Sequence, residues 1–403
     1  MTEVRYLTAQ EAAAELNVSR ATLYAYVSRG LIRSEASAGP RARLYRADDV
    51  SLLRDRKGTG REPPEAGAQA LAWGAPVLDS AITLIENGGL FYRGRDAAVL
   101  AETASLETVA AILWDCGGDD PFAGNEPPLA DVLAHGGEGA AGMDRCLALL
   151  ARAAPLDLKA FNLEPAGVAR TGARLVRLLA AGMGGVHPSG AAIHDRLAAG
   201  WRAAHPAAAD LIRAALVLLA DHELNASAFT VRCIASTGAA PYAAVTGGLC
   251  ALQGPRHGGE TARAAAMLAA VGADDPTSAL AARLRRGERL SGFGHPLYPG
   301  GDPRAAVLLR RLEAILPDHP AVALGRRLAA AARDLTDARP NIDFALAIMG
   351  RALDLPPDAP LGIFAVGRCA GWIAHAQEQY ATHALIRPRS RYVGDIPSGL
   401  RRP

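Results

Sequence analysis

The sequence predicts a mainly α-helical protein, with a short helix–turn–helix segment and a hairpin standing in front of a much larger helical body. Three observations carry this. Between residues 147 and 380, alanine and leucine recur at helical spacing through nine segments, whereas strand-like alternation is rare. Half of the 403 residues are hydrophobic, enough for a large core and, at this length, for two or three domains. Residues 1–56 have another pattern, with two short helical stretches, a turn and a basic hairpin.

In residues 1–56, Thr8 and Glu11 have the spacing of a capping box, and Ala12, Ala13 and Leu16 give the first helix an apolar face. Asn17-Val18-Ser19 makes the turn. A second helix over 20–29 turns Leu23 and Val27 inward and leaves Thr22, Tyr24, Tyr26 and Ser28 more exposed, with Gly30 as its C-cap. Leu31-Ile32-Arg33, a turn at Gly39-Pro40 and the stretch 41–46 read as a wing, and Asp48 and Asp49 open a short third helix. The whole resembles the winged helix-turn-helix of the MerR and excisionase families. Residues 1–61 hold eleven Lys and Arg against seven Asp and Glu, which leaves 32 against 34 for the rest of the chain. The positive excess therefore lies where the DNA-binding pattern lies. Arg20, Thr22 and Tyr24 are the candidate groove contacts and Arg41 and Arg43 the candidate phosphate contacts. The alternative is a module kept for protein contacts.

Residues 57–68 are a linker by composition, and the Gly/Pro-rich stretch 116–141 reads as a surface loop. Helical patterns cover 147–154, 166–183, 207–221, 261–271, 276–286, 303–315, 320–335, 343–353 and 362–380. One hairpin is expected, with strands at 81–85 and 90–93 around Asn87-Gly88-Gly89. No Gly-x-Gly-x-x-Gly follows a strand pattern and no phosphate-loop motif occurs, so the body reads as a helical enzyme rather than a doubly wound sheet.

A net charge of +2 implies no strongly charged partner for the whole chain, and the near absence of lysine (Lys57 and Lys159 only) reads as compositional bias toward arginine. Five scattered cysteines without a Cys-x-x-Cys pair argue against a disulfide framework and suit a reducing compartment. The opening residues lack the apolar stretch of a signal peptide, and no uninterrupted apolar run is long enough to span a bilayer. The expectation is a cytoplasmic protein that does not engage membranes.

Four segments carry polar clusters that packing does not require. They are Ala-Asp-His-Glu-Leu-Asn-Ala-Ser around His222, Gly-Pro-Arg-His-Gly-Gly-Glu around His257, Ser-Gly-Phe-Gly-His-Pro-Leu-Tyr around His295, and Pro-Asn-Ile-Asp-Phe around Asp343. Three imidazoles, a carboxylate and several arginines suit a site that moves protons and binds an anion. A metal site on His222, His257 and His295 is disfavoured by the lack of close ligand spacing such as His-x-x-x-His.

In this order the segments resemble the citrate synthase family. The resemblance runs from about residue 74 to 394. It starts at Phe-Tyr-Arg-Gly-Arg-Asp (91–96), similar to the family's early Tyr-Arg-Gly turn, and ends at Ile-Arg-Pro-Arg-Ser-Arg-Tyr-Val-Gly (386–394), similar to its C-terminal signature. What it implies is condensation of acetyl-CoA with oxaloacetate, then thioester hydrolysis, with acetyl-CoA as a substrate and no cofactor or metal. Asp343 would be the base, His257 the donor that stabilises the enol or enolate, and His295 the group on the keto oxygen of oxaloacetate. Arg304, Arg368 and Arg387 would bind the carboxylates, with His222 touching the same substrate. The tail arginine comes from the partner subunit in the family, so a homodimer is implied. Within each chain a small domain, 259–354, would close over a large one, 69–258 with 355–403. The sequence departs from the family's pattern at Pro296 and at Pro299-Gly300-Gly301, where many members have basic residues near CoA; Arg256 or Arg286 are candidate replacements. 2-Methylcitrate synthase, using propionyl-CoA, is the close enzymatic variant, and a metabolite-sensing transcription regulator is the alternative from another class.

Overall fold

The computed structural model describes residues 6–16, 18–28, 32–36, 43–47, 49–50, 78–124, 132, 142–185, 191–271, 275–390 and 392–395. The chain divides into two compact units, Met1–Asp79 with Arg389–Pro403, and Ser80–Pro388.

The first unit contains β1 (Tyr6–Thr8), α1 (Ala9–Glu15), α2 (Arg20–Ser28), β2 (Ser34–Ala36) and β3 (Arg43–Arg46). The capping box at the start of α1 is formed: Glu11 N donates to Thr8 Oγ1 at 3.3 Å and Thr8 N donates to Glu11 Oε2 at 2.8 Å. Leu7, Ala12, Ala13, Leu16, Leu23, Ile32, Tyr45 and Val50 make a small core. The expected wing is present as antiparallel β2 and β3, with Ala36 opposite Arg43. Strand β1 was not expected; it adds to the other edge of β3, placing Leu7 opposite Tyr45 in that core. Asp49 fixes the end of the wing by accepting from the Arg33 backbone at 2.9 Å and pairing with its guanidinium at 2.7 Å. Gly30, the Gly39-Pro40 turn, Arg41, Asp48 and the 57–68 linker lie outside the described residues.

The second unit opens with β4 (Thr83–Glu86), β5 (Gly89–Tyr92) and β6 (Arg95–Asp96) in one antiparallel sheet. The expected hairpin is there, its first strand shifted to begin at Thr83, with both turn residues, Asn87 and Gly88, at positive φ. Helices follow: α3 (Ala97–Thr103), α4 (Leu106–Leu113), α5 (Gly142–Ala153), α6 (Pro165–Gly184), α7 (Ile193–Gly200), α8 (Ala208–Leu219), α9 (Ala226–Ala235), α10 (Pro241–Leu252), α11 (Gly259–Val271), α12 (Pro276–Arg285), α13 (Pro303–Ile315), α14 (Pro320–Thr336), α15 (Ile342–Ala352) and α16 (Ala359–Thr382). Short 3-10 turns connect α5 to α6. Among these, α3, α4, α7, α9 and α10 have no counterpart in the sequence reading. In α9 and α10, Ser, Thr, Gly and Cys interrupt the apolar stripe, and neighbouring helices rather than periodicity hold them. The stretch expected as a surface loop at 116–141 is described only in part, and Val132 within it is buried.

Helix α16 is the axis of this unit. It packs against α4, α6, α8, α9, α10, α11 and α15, and most of its residues from Ala359 to Tyr380 are buried. It meets the end of α8 almost backbone to backbone: Gly371 N donates to Ala220 O at 2.9 Å. A Cβ on Gly371 would stand 2.5 Å from that same oxygen and closer still to Asp221 Oδ1, so only glycine fits. Strand β5 ties to the same place, with Tyr92 Oη donating toward Val217 O at 3.0 Å. These contacts fix the segment that leaves α8, which carries Asp221 and His222. No helix among the described residues is long and apolar enough to cross a membrane.

Candidate active site

Backbone and cap hydrogen bonds shape each polar segment locally and join the His295 segment to the Asp343 segment. Asn225, three residues after His222, caps α9: its Oδ1 accepts from Ser227 N and Ala228 N, each at 3.1 Å. His257 lies in the turn between α10 and α11, with its N–H donating to Gly254 O at 2.9 Å. The His295 loop is stitched to the start of α15. Gly294 N donates to Arg339 O at 2.8 Å, Asn341 N to Gly292 O at 2.9 Å, and Asn341 Nδ2 to Gly294 O at 3.1 Å. Asn341 also caps α15, accepting from Asp343 N at 3.1 Å. One asparagine therefore holds His295 and Asp343 in register.

Asp302 plays the same part for Arg304. It caps α13, pairs with the Arg304 guanidinium through Nε (3.0 Å) and Nη2 (2.8 Å), and accepts Ile342 N at 3.0 Å from the first turn of α15. The bidentate pair fixes the guanidinium plane. Burial pushes the Asp302 carboxyl up, but the charge of Arg304 outweighs it and holds the pKa below the ordinary aspartate value.

Around these anchors the side chains converge. His222 Nε2 is 3.0 Å from Tyr298 Oη, and its ring stands edge-on to His295 at 5.1 Å between centroids. Tyr298 lies 5.0 Å from His295 and sits under the Arg304 guanidinium at 5.7 Å. On the other side, His257 Nε2 is 2.8 Å from Ser227 Oγ, which accepts from Trp372 Nε1 at 3.0 Å. The His257 ring meets Phe364 edge-on at 5.8 Å, and Arg368 stacks over Phe364 at 4.9 Å. Asp343 Oδ1 accepts the Thr261 hydroxyl at 2.5 Å.

Electrostatics give each group a definite protonation state. Burial, then Arg368, lowers His257 to about 4; burial, then Arg304, lowers His295 to about 4 against the opposing pull of Asp302. His222 falls well below its ordinary value, first through burial and then through Arg304 and Arg368. All three imidazoles are neutral at pH 7, so they can donate one hydrogen bond each without carrying charge. His295 Nδ1 accepts from Leu297 N at 3.2 Å, which assigns its proton to Nε2. Burial drives Asp343 up to about 6, with the Thr261 hydrogen bond pulling the other way.

Arg368 is the most telling group. Only 1% exposed, it donates from Nε to Leu219 O at 2.8 Å, yet its Nη2 has no hydrogen-bond acceptor among the described residues. Burial brings its pKa down to about 10, with Asp221 opposing. Asp221 is itself shared, with its Oδ1 3.3 Å from His375 Nε2, both side chains fully buried. A buried guanidinium with a donor left over is a receptor for an anion.

His222, His257, His295, Asp343, Arg304 and Arg368 are thus drawn into one linked cluster. Arg387 is exposed and touches none of them among the described residues. Ser227, Tyr298, Thr261, Asp302, Trp372 and Phe364 were not singled out from the sequence. Ser227 and Tyr298 lay inside segments that were; the others carry no local signal. Of the candidate CoA residues, Arg286 is bound to Glu288 at 2.6 Å, and Arg256 is exposed. Among the described residues no group of His, Cys, Asp and Glu could hold a metal ion.

In the first unit, Tyr24 is 53% exposed on α2, Thr22 is tied to Ser19 across the N-cap at 2.9 Å, and Arg43 is held on the wing by Ser34 at 2.9 Å. Arg20 opens α2; its side chain and all of Arg41 lie outside what is described.

The larger unit is thus a helical fold whose loops and helix ends gather neutral histidines, a carboxylate and buried arginines around an anion site. Comparison with known proteins gives that class its family. The family model "Citrate synthase, C-terminal domain" matches residues 140–389, and a helix-turn-helix domain model matches residues 6–56. The chain belongs to the citrate synthase family. Over 192 residues it is 40% identical to a citrate synthase of Haloferax volcanii, covering 46% of this chain and 51% of that one. It is 36% identical over 196 residues to 2-methylcitrate synthase 1 of Corynebacterium glutamicum, covering 46% and 51%. The chain spans about half the length of the curated relatives it matches. Among solved structures, citrate synthase from Thermotoga maritima aligns with a TM-score of 0.69 at 26% identity, covering 81% of this chain and 96% of that one. A citrate synthase from Thermoplasma acidophilum, in ternary complex with carboxymethyl coenzyme A and oxaloacetate, aligns with a TM-score of 0.70 at 22% identity, covering 85% and 99%, a likeness of fold alone.

Proposed function

We propose that this chain condenses acetyl-CoA with oxaloacetate to citryl-CoA and then hydrolyses its thioester with water, giving citrate and CoA. The observation that carries the reading is the buried Arg368, with an unused guanidinium donor, beside neutral histidines and a carboxylate whose pKa of about 6 suits a base near neutral pH. Asp343 takes a proton from the acetyl methyl group. His257 donates to the thioester oxygen as charge develops there. Its Nε2 is occupied by Ser227, so Nδ1 is the nitrogen left for substrate. For Nδ1 to carry the proton, Ser227 must donate to Nε2. In the structure that one hydroxyl proton goes to Asn225 Oδ1 at 2.7 Å, so it must turn to Nε2 for His257 to act as the donor. His295 donates from Nε2 to the keto oxygen of oxaloacetate. Arg304, Arg368 and His222 bind its carboxylates, with Arg387 supplied by a second copy in a homodimer. Closure of residues 259–354 over the remainder excludes water during proton abstraction. Propionyl-CoA, giving 2-methylcitrate, is the second acyl donor to test, since relatives of both names match stretches of similar length, 192 and 196 residues. The reaction takes place in the cytoplasm.

The test is release of free CoA thiol from acetyl-CoA, with and without oxaloacetate, repeated with propionyl-CoA. Release that depends on oxaloacetate is expected. Oxaloacetate binding without any thiol release would instead favour a metabolite-sensing regulator, a reading supported by the helix-turn-helix match at residues 6–56. Duplex DNA binding by residues 1–56, through Arg20, Thr22, Tyr24, Arg41 and Arg43, is part of either reading. It should weaken steeply with salt and vanish on deletion of residues 1–61 while thiol release is unchanged. No shift of genomic fragments at low salt would leave the module a protein-contact role.

A further inference from the structure

Tyr298 touches three of the groups assigned to oxaloacetate. Its hydroxyl is 3.0 Å from His222 Nε2, its ring lies 5.0 Å from that of His295, and the Arg304 guanidinium stands 5.7 Å above it. The residue is 2% exposed.

The loop that carries Tyr298 holds it stiffly. Tyr298 N donates to His295 O at 3.0 Å, and Gly301 N donates to Tyr298 O at 2.9 Å. These bonds close two successive turns, 295–298 and 298–301, which share Tyr298. The second position of each turn is a proline, Pro296 and Pro299, whose ring presets the φ that the position requires. Pro299 also keeps the backbone of Tyr298 out of the helical region. The prolines stand where the sequence departs from its family, so the departure stiffens this loop. Leu297 N, in the first turn, donates to His295 Nδ1 at 3.2 Å, and the same loop thereby fixes that imidazole.

The direction of the bond to His222 follows from the chemistry of the pair. Tyr298 Oη has no other hydrogen-bond partner among the described residues, and neither has the His222 ring. Were His222 Nε2 the donor, the phenol proton would be buried with nothing to accept it. A phenol is also the better donor and a neutral imidazole nitrogen the better acceptor. Burial, partly offset by Arg304, pushes the phenol up to about 12, so it keeps its proton at neutral pH. His222 is then left with its own proton on Nδ1.

We propose that Tyr298 is a positioning residue: by donating to His222 Nε2 it holds the His222 proton on Nδ1, the nitrogen that donates to an oxaloacetate carboxylate. The inference rests on the function proposed above for the substrate, but not for the tautomer.

The tautomer is read by nitrogen NMR of the full-length, substrate-free protein labelled at histidine, with the His222 signals identified by their loss in His222→Ala. Nε2 should appear as an unprotonated acceptor and Nδ1 as protonated. Tyr298→Phe keeps the ring beside His295 and removes only the hydroxyl; it should bring protonated Nε2 into view. Oxaloacetate, titrated calorimetrically, should bind that variant about fivefold or more weakly, the effect of one hydrogen bond. In the His222→Ala background the same substitution should cost little further affinity, because Tyr298 acts through His222. A tyrosine that merely fills space would weaken binding equally in both backgrounds and leave the tautomer unmoved, and either result would overturn the proposal. So would protonated Nε2 in the wild-type protein, a measurement that needs no change at Tyr298. None of these readings needs turnover: a protein that releases no thiol would sink the proposed reaction, while the His222 tautomer would still decide this one.

Discussion

Asp343 sets the pH behaviour. As a base it acts ionised, and burial places its pKa at about 6. The rate should therefore fall as pH drops through about 6 and level off above it. The Thr261 hydroxyl favours the ionised form, so Thr261→Val should push the acid limb of the pH–rate profile to higher pH; a limb that does not move would remove Thr261 from the account. Asp343→Asn should cost on the order of a hundredfold or more in kcat while oxaloacetate still binds. The same shift makes a stability statement. The folded pKa lies above the ordinary 3.8, so the fold disfavours the ionised form, and stability is lost as pH rises from about 3.8 through about 6. At pH 8 the inactive Asn variant should thus melt higher, by an amount on the order of 1 kcal/mol or more. Equal or lower melting would contradict the burial argument. Ser227 is the residue whose loss should separate positioning from substrate contact. Ser227→Ala strips the partner from His257 Nε2 and orphans the Trp372 N–H. A drop of about tenfold or more in kcat, with KM for oxaloacetate nearly unchanged, is expected if His257 depends on it for orientation.

At the scale of elements, α16 brings Phe364, Arg368 and Trp372 to the site from one face of a single helix, and its depth of burial follows from close packing on α8. Gly371→Ala tests that packing. The new methyl group would collide with Ala220 O and Asp221 Oδ1, a backbone atom and a fully buried carboxylate, neither free to move. A loss of about 2 kcal/mol or more is expected in denaturant unfolding, well beyond the gain alanine brings to an exposed helix. A neutral or stabilised variant would mean that α16 can slide on α8, and that the site tolerates more movement than its hydrogen bonds imply.

The whole molecule is tested through Arg387. Exposed in the single chain, it can serve the proposed site only by entering the pocket of a second copy. Asp343→Asn and Arg387→Ala proteins should each be nearly inactive. Unfolded and refolded together in equal amounts, about half the dimers are mixed, and each mixed dimer has one site with both lesions and one with neither. About a quarter of the wild-type activity should then return. If mass measurement confirms mixed dimers and no activity returns, both residues serve the same chain's site, and the assignment of Arg387 falls.

The sequence by itself determined the helical body, the small module in front, the capping box at Thr8 and Glu11, the hairpin at Asn87-Gly88 and the four polar segments. Each of these is written locally, as periodicity, a cap, a turn pair or a cluster that packing does not ask for. Tertiary structure decided the rest. That Asn341 joins the His295 loop to Asp343, that Asp302 links Arg304 to α15, and that Ser227 stands between His257 and Trp372 are contacts between residues 30 to 145 positions apart, and no local pattern encodes them. The same holds for protonation. Histidines that titrate near neutral pH as isolated groups become neutral donors here because burial and the charges of Arg304 and Arg368 disfavour their charged form, and an ordinary aspartate becomes a base near pH 6 because burial outweighs the pull of Arg304; these act only once the chain has folded around them.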